Sequence, residues 1–202
     1  MIDLKYEKNN VIKEKYQKEL LENILDYVDI NYTEKDKHDI NVKNNLIVTT
    51  LNDINSHLNK MINNDIDAKE NIMIGRIKNE TAKRIKEDIG IDLKNYSLVY
   101  NKSDVKHIYI LHILNIKGQI KLNKEDLLFF PYILNRYDTI YIAENGNIVL
   151  DKTIYDNYRV ALTFTKKKRN IVLKSMYITK KREENSLPIS HDQFWSLPSL
   201  TS

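Results

Sequence analysis

Two histidines lie five residues apart in the segment KHIYILH, as His107 and His112. Imidazole titrates near neutral pH, so histidine can donate or accept a proton in catalysis. On a helix of 3.6 residues per turn, this spacing separates the two side chains by roughly 140°. It differs from the i, i+4 spacing that places two histidines on one metal ion, and no HExxH pattern accompanies it. The pair therefore favours acid–base chemistry over a metal site, although a histidine on a helix is more often structural than catalytic.

A second group of polar side chains lies in the strand-like segment VLKSMY. Successive residues of a strand point to opposite faces, which puts Ser175 and Tyr177 on one face and Lys174 and Met176 on the other. A hydroxyl, a phenol or a lysine can orient a phosphate or stabilise its added charge. Alone, the hydroxyl pair is more typical of the solvent face of an ordinary strand.

Cleavage of RNA without a metal ion would use these residue types together. The 2′-hydroxyl beside the scissile phosphate is an internal nucleophile that needs a base, and the leaving 5′-oxygen needs an acid. Basic residues would hold the phosphate backbone electrostatically, although each is also typical of an ordinary surface. The candidates for this role are Lys102, Lys106, Lys117, Lys121 and the KKKR segment at 166–169.

Two amphipathic helices are predicted in the first third of the chain. Apolar residues recur at three-and-four spacing over about residues 10–29 and again over 46–63. The polar residues 31–45 between them are expected to form a loop. The two helices could pack as an antiparallel hairpin, and such apolar faces are core elements more often than docking surfaces.

Further helices are predicted after Gly75. Asn79 can cap a helix that stops at Gly90, and Ser103 can cap the helix that carries both histidines. Another helix should start after Asn123, and Pro131 should kink or close it.

From Thr139 onward the apolar pattern alternates, which predicts strands. Asn145–Gly146 separates two alternating segments and is the favoured pair for a type I′ hairpin, and KKKR forms a second turn. Helices therefore precede an antiparallel meander of about four strands, which is an α+β fold.

Composition limits the class of protein. With 202 residues, 42% of them apolar and 30% charged, the chain is typical of a globular protein that buries a substantial core. No apolar run is long enough to span a bilayer, and no signal-peptide pattern follows the N-terminal charges. We therefore expect a cytoplasmic protein, in its own cell or in a target cell, with no membrane partner. Cysteine is absent, which excludes disulfides, thiolate metal sites and cysteine nucleophiles.

Charge is divided unevenly along the chain. Residues 1–75 hold ten Lys/Arg against fourteen Asp/Glu, whereas residues 76–202 hold twenty-two against fourteen. The basic part is where contact with a polyanion is expected, although a modest excess of lysine is also typical of a solvated surface.

Three segments, in order, resemble the phage-associated barnase, EndoU, colicin E5/D and RelE-like nuclease domains of phage proteins and polymorphic toxins. They are RIKNETAKRIKEDIGIDLKNYSLVYNKSDVKHIYILH, KEDLLFFPYILNRYDTI and VLKSMY. The resemblance implies N-terminal helices packed on a four-stranded antiparallel sheet, RNA as substrate, no metal and no cofactor. It divides the chain into a helical extension (1–75), a nuclease-type domain (76–182) and a C-terminal tail (183–202).

The resemblance also implies roles for individual residues. His112 becomes the general base or acid, and His107 its partner or a structural residue. Lys117 or Lys174 would contact phosphate, with Lys117 preferred because Lys174 points away from Ser175 in a regular strand. The positions that match the family's helix histidines and final-strand hydroxyl and aromatic residues are His107, His112, Ser175 and Tyr177.

The leading hypothesis is a toxin-like endoribonuclease that cleaves RNA, with tRNA among its candidate substrates, and is restrained by a cognate immunity protein or antitoxin. In relatives the second histidine is usually followed by glycine, whereas Ile113 follows it here, so the next loop is expected to differ. The alternative is a nuclease-derived module of phage origin that binds RNA or a protein without cleaving. A third hypothesis is a structural phage component whose helices within 10–63 carry the interaction. No motif sets the oligomeric state.

Overall fold

The computed structural model of the chain describes residues 23–30, 45–48, 50–113, 119–120, 122, 124–154 and 158–180. The α-helices in these ranges are α1 (Leu51–Ile62), α2 (Asn79–Ile89), α3 (Lys102–Ile113) and α4 (Phe130–Arg136). Two 3-10 helices span Ile24–Tyr27 and Lys124–Phe129. The strands are β1 (Val28–Asp29), β2 (Asn45–Ile47), β3 (Asn71–Ile77), β4 (Ser97–Asn101), β5 (Gln119–Ile120), β6 (Thr139–Ile142), β7 (Ile148–Ile154), β8 (Tyr158–Lys167) and β9 (Asn170–Lys180).

The described strands form one curled, mixed sheet. Its order is β1-β3-β4-β9-β8-β7-β6, with β2 paired to β3 and β5 paired to β9 outside this path. Strands β6 to β9 form an antiparallel meander, which confirms the predicted α+β class and its four-stranded unit. The sheet is larger than predicted, because β4 pairs with β9 and β2 with β3, both in parallel.

One hydrophobic core joins the helices to the inner face of the sheet. Leu58 of α1, Ile85 of α2, Val105 of α3, Phe130 of α4 and Leu173 of β9 are all fully buried in it. Burial of such side chains is the main favourable contribution to folding. The division of the chain at residue 75 stays a prediction, but α1 shares this core with the strands that follow.

The first predicted helix does not extend to residue 29. Residues 24–27 form a 3-10 helix, and Val28 and Asp29 pair with Ile77 and Arg76 of β3. Gly75 permits this approach, because a Cβ there would lie 2.5 Å from the Cβ of Val28. Residues 10–22 of the predicted helix and the loop at 31–44 lie outside the described residues.

The second predicted helix starts later than its apolar pattern indicated. Residues 45–47 form β2, and α1 begins only at Leu51, where the Thr50 side chain accepts a hydrogen bond from the backbone N–H of Asp53 at 3.2 Å. The run Leu46–Val48 is apolar, and two of its three residues are β-branched, so it is compatible with a strand as well as a helix. Pairing with β3 decides between them.

The helices after Gly75 lie where they were predicted but differ in how they begin. Asn79 is the first residue of α2 and Lys78 is its N-cap, so Asn79 does not cap the helix as predicted. The helix ends before Gly90, whose φ of 74° is the left-handed conformation expected of a helix stop. Pro131, in contrast, lies in the first turn of α4 and does not close a helix. Proline fits the first turn because the N–H it lacks has no intrahelical partner there. Asn123 lies outside the described residues.

The hairpin between β6 and β7 is where it was predicted, but its turn is not type I′. The backbone N–H of Ala143 donates to the carbonyl of Asn147 at 2.8 Å, and the N–H of Gly146 donates to the carbonyl of Ala143 at 2.8 Å. Only Gly146 has a positive φ, 76°, so a longer loop closes with a single left-handed glycine.

The side chain of Asn135 in α4 forms hydrogen bonds that link three helical elements. Its side-chain NH₂ donates to the carbonyls of Tyr27, at 2.8 Å, and Pro131, at 2.7 Å. Its carbonyl oxygen accepts a hydrogen bond from the buried hydroxyl of Thr81 in α2. The 3-10 helix before β1, α2 and α4 are thus linked through one amide.

Candidate functional site

Helix α3, which carries both candidate histidines, starts at a defined point on the sheet. The side-chain oxygen of Asn101 accepts hydrogen bonds from the backbone N–H and the hydroxyl of Ser103, at 3.0 and 2.6 Å. The Asn101 amide donates to the Asn71 side chain of β3 at 2.9 Å. Asn101 therefore caps the helix in place of the predicted Ser103. The sequence signal was present, since asparagine is a preferred cap, but the strand pattern of SLVYN concealed it.

The faces of α3 separate structural from accessible residues. Val105 and Ile108 are buried against the core, and the helix packs against α1 and β9. His107 is exposed and Lys106 is partly buried. The backbone of His112 belongs to the last turn of α3, but its side chain lies outside what the structure describes.

A β-bulge in β9 decides which way Ser175 and Tyr177 point. Thr163 of β8 pairs with Ser175, but the next residue of β8, Phe164, pairs with Leu173, so Lys174 is the extra residue. Leu173 and Met176 are both buried in the core, three residues apart. An unbroken alternation would have turned Ser175 to the buried face with Leu173. The bulge therefore places Ser175 and Tyr177 together on the opposite, partly exposed face. The prediction that Lys174 shares a face with Met176 is wrong, because Met176 is buried and Lys174, the extra residue of the bulge, is partly exposed.

An ion pair joins β9 to α3. The Lys174 ammonium lies 2.7 and 2.8 Å from the two carboxylate oxygens of Asp104. The Asp104 side chain is 16% exposed and that of Lys174 is 37% exposed, so the pair is only partly screened by water. The ion pair therefore holds the first turn of α3 against the bulge in β9. Sequence reasoning missed Asp104, because an acid in the first turn of a helix is common.

The chain returns to β9 after α3. Gln119 and Ile120 of β5 pair with Thr179 and Ile178, at the far end of the strand from the parallel pairing with β4. Helix α3 is thus connected at both ends to elements that pair with β9. The lysines predicted to bind RNA in this connection, Lys117 and Lys121, lie outside the described residues, so their role stays a prediction.

A carboxylate lies on the same sheet face as Tyr177. Antiparallel pairing aligns Tyr177 with Ala161 of β8, and Ala161 with Asp151 of β7. Two strand spacings separate Tyr177 from Asp151, or roughly 10 Å. Asp151 is 5% exposed, and its Oδ2 accepts a hydrogen bond from the Thr139 hydroxyl at 3.2 Å. Sequence reasoning missed Asp151, although an acid inside the apolar run IVLDKTI was a usable signal.

Two ionisable groups of the fold, Tyr100 and Asp138, have shifted pKa values with structural causes. Burial raises the pKa of Tyr100, whose hydroxyl donates to the carbonyl of Leu127 at 2.7 Å. Desolvation would raise the pKa of Asp138, but its hydrogen bonds to the Lys152 ammonium and the Thr153 N–H outweigh it and lower that pKa. Both groups therefore keep their charge state across neutral pH and serve as structural contacts.

Within the described part of the chain, no three His, Asp or Glu side chains are grouped as metal ligands would be. No helix in that part is long and apolar enough to cross a membrane.

Comparison with known proteins identifies the family. Residues 75–186, more than half of the chain, match the family described as phage-Barnase-EndoU-ColicinE5/D-RelE like nuclease3. No curated protein and no solved structure gives a significant match. The matched range contains α3, β9 and all the candidate site residues, which confirms the resemblance and supports nuclease activity in general. The chain belongs to the phage-Barnase-EndoU-ColicinE5/D-RelE like nuclease3 family.

Proposed function

We propose that residues 75–186 form an endoribonuclease that cleaves RNA without a metal ion. The 2′-oxygen attacks the adjacent phosphorus, so the O2′–P bond forms as the P–O5′ bond breaks, leaving a 2′,3′-cyclic phosphate and a 5′-hydroxyl. A base removes the 2′ proton and an acid protonates the 5′-oxygen. Membership of a nuclease family supports a nucleic-acid substrate. The two histidines on α3 supply imidazoles, the side chain most often used as a general acid or base.

The observation that carries the proposal is the ion pair between Asp104 and Lys174. It holds α3 against β9 at the point where the bulge turns Ser175 and Tyr177 to one face. The elements that carry the candidate acid–base and phosphate-binding groups are therefore neighbours, although they lie about 70 residues apart in sequence.

Each residue has a proposed role. His112 is the general base or acid, and His107 is its partner. The hydroxyls of Ser175 and Tyr177 donate to the phosphate as its charge increases. The lysines that would hold the RNA backbone are Lys106, Lys117 and Lys121. Lys174 contributes less, because Asp104 neutralises it.

The proposed biological setting is that of a toxin-like enzyme. It acts on RNA in a cytoplasm, with tRNA as the first substrate to test, and a cognate immunity protein or antitoxin restrains it. Expression without that partner should therefore arrest growth, and the His112→Ala variant should relieve the arrest.

The test is RNA cleavage in EDTA. Wild type, His107→Ala and His112→Ala are incubated with total RNA and with bulk tRNA, and the new ends are analysed. We expect discrete cuts by wild type that His112→Ala abolishes. His57→Ala is the matched control, because His57 lies on α1 and its ring nitrogen contacts the carbonyl of Asp53 on the same helix, at 2.8 Å. Equal loss of activity in the control, or none in His112→Ala, would contradict the assignment.

The alternative is a module that binds RNA or a protein without cleaving it. Two features favour it: Asp104 neutralises Lys174, and Ile113 follows His112 where the resemblance to the nuclease family implies a glycine. Folded wild-type protein that binds RNA, cuts none and is harmless on expression would support this function over the enzyme.

A further inference from the structure

The turn between β8 and β9 places two basic residues in an unfavourable backbone conformation. Lys167 pairs with Asn170, so Lys168 and Arg169 are the two central residues, with φ of 48° and 62°. Both central residues of a type I′ turn must be left-handed, which is why Asn-Gly is favoured there. Side chains with a Cβ are disfavoured in this conformation. The other positive-φ residues in the described ranges are all asparagine or glycine: Asn64, Gly75, Gly90, Asn95 and Gly146.

The side chains at this turn present positive charge to solvent. Lys166, Lys168 and Arg169 are all exposed. None of the three forms an ion pair with a carboxylate among the described residues. We name these three residues the basic turn. Three cations at one tip, with no carboxylate partner in the part of the chain that the structure describes, form a favourable contact for a polyanion.

The basic turn is fixed relative to the sheet. The carbonyl of Arg169 accepts a hydrogen bond from the N–H of Ser97 at 2.9 Å, which ties the turn to the start of β4. Ser97 pairs in turn with Arg76 of β3. Arg169 and Ser175 are six positions apart along the extended chain, which corresponds to a distance of roughly 20 Å. The cations are therefore held at a set distance from the candidate cleavage site.

We propose that the basic turn is a second contact for the substrate, which binds backbone phosphates several nucleotides away from the scissile bond. The proposal rests on the proposed function for the identity of the polyanion as RNA. The strained backbone supports it, because Lys168 and Arg169 occupy positions where Asn-Gly would be more stable. A dinucleotide is too short to reach from Ser175 to the turn, whereas a longer oligonucleotide reaches both. An acidic protein could use the same charges, and the experiment separates the two.

The test replaces the two strained residues with the sequence that the turn favours. The Lys168→Asn/Arg169→Gly variant is compared with wild type for thermal stability and for binding to a twelve-nucleotide 2′-O-methyl RNA, which cannot undergo 2′-hydroxyl attack. We expect the Tm to rise by roughly 3 °C. We expect Kd to increase about threefold or more. The plot of the logarithm of the association constant against the logarithm of the salt concentration should become less steep by about 1.4, the value for two phosphate contacts on a single strand.

Two further variants serve as controls. Lys168→Gln/Arg169→Gln removes the charge but keeps the strained backbone, so binding should weaken without the gain in Tm. Lys83→Gln/Lys86→Gln removes the same charge from the exposed face of α2 and should leave RNA affinity within about twofold of wild type. Equal weakening by the α2 variant would mean that net charge alone is responsible and would overturn the proposal.

The outcomes for the two proposals can be told apart. If both turn variants bind the oligonucleotide as wild type does, the second contact is refuted, even where wild type cleaves RNA. A protein partner is then the remaining ligand for the turn. If wild type binds with the expected salt slope but cleaves no RNA, the proposed enzyme fails and the contact remains. Cleavage of a dinucleotide should be equal in wild type and turn variants, and a loss there would also count against a distant contact.

Discussion

Replacing Gly75 with alanine should destabilise the protein more than the same change at the other left-handed glycines. Gly75 has a φ of 147°, which residues with a Cβ rarely adopt. It lies at a bulge in β3, next to the residues of β3 with which Val28 and Asp29 of β1 pair. A Cβ at this position would lie 2.5 Å from the Cβ of Val28 and 3.2 Å from the carbonyl oxygen of Asp29.

The expected loss follows from these two effects. An unfavourable backbone conformation costs about 1–3 kcal/mol. Overpacking costs about 1–3 kcal/mol more, because the Cβ of Val28 belongs to a strand and cannot rotate away. The free energy of unfolding should therefore fall by about 2–6 kcal/mol. Gly90→Ala is the matched control: its φ is 74°, and nothing lies within 4 Å of an added Cβ, so only the backbone cost of about 1–2 kcal/mol applies.

Urea unfolding of wild type, Gly75→Ala and Gly90→Ala measures the difference. Hydrogen exchange of the amides in residues 24–29 shows whether β1 has detached. Equal losses in the two variants would refute the close packing of β1 on β3. They would also favour the view that the N-terminal segment is an extension independent of the matched domain.

Further predictions concern the contacts around the site. A double-mutant cycle of Asp104→Asn and Lys174→Met, measured by urea unfolding, should give a coupling free energy of about 0.5–1 kcal/mol. The value is limited because the Lys174 side chain is partly exposed to solvent, and a coupling of zero would contradict the ion pair. Asp138 has a lowered pKa in the folded state, so its contribution is present above its unfolded pKa of about 3.9 and is lost as pH falls through the folded pKa. Asp138→Asn should therefore be less stable than wild type by less than about 1 kcal/mol at neutral pH and equally stable in strong acid, and a pH-independent difference would refute this. Asn135→Ala leaves two carbonyls and a hydroxyl without their partner, so the free energy of unfolding, measured by thermal unfolding, should fall by about 2–3 kcal/mol. A fall of less than about 0.5 kcal/mol would show that water replaces the amide.

Sequence periodicity predicted the elements whose pattern is local. Helix α2 has a clear apolar stripe and a glycine stop, and the β6–β9 meander has alternation and turn residues. The helix predictions for residues 28–29 and 46–47 were wrong in type, because short apolar runs fit either a helix or a strand. Pairing with β3 decided those segments, and such a contact is not visible in a single stretch of sequence.

The candidate site was predictable only in part. Alternation placed Ser175 and Tyr177 on one face, but the bulge at Lys174 decides that this face is the accessible one. Bulges depend on the partner strand, so the sequence of β9 alone could not indicate one. The ion pair to Asp104 joins residues 70 positions apart, and only the folded chain shows it. The roles of His107, His112, Ser175 and Tyr177 stay predictions.

Cleavage through the 2′-hydroxyl is tested most directly with two matched oligonucleotides in EDTA. One is the RNA that wild type cuts, and the other carries a single 2′-deoxy nucleotide on the 5′ side of the cut bond. We predict that the RNA is cut to 2′,3′-cyclic phosphate and 5′-hydroxyl ends, and that the deoxy version remains intact at that position. Cutting of both oligonucleotides, or products with 3′-hydroxyl and 5′-phosphate ends, would contradict attack by the 2′-oxygen and with it the proposed mechanism.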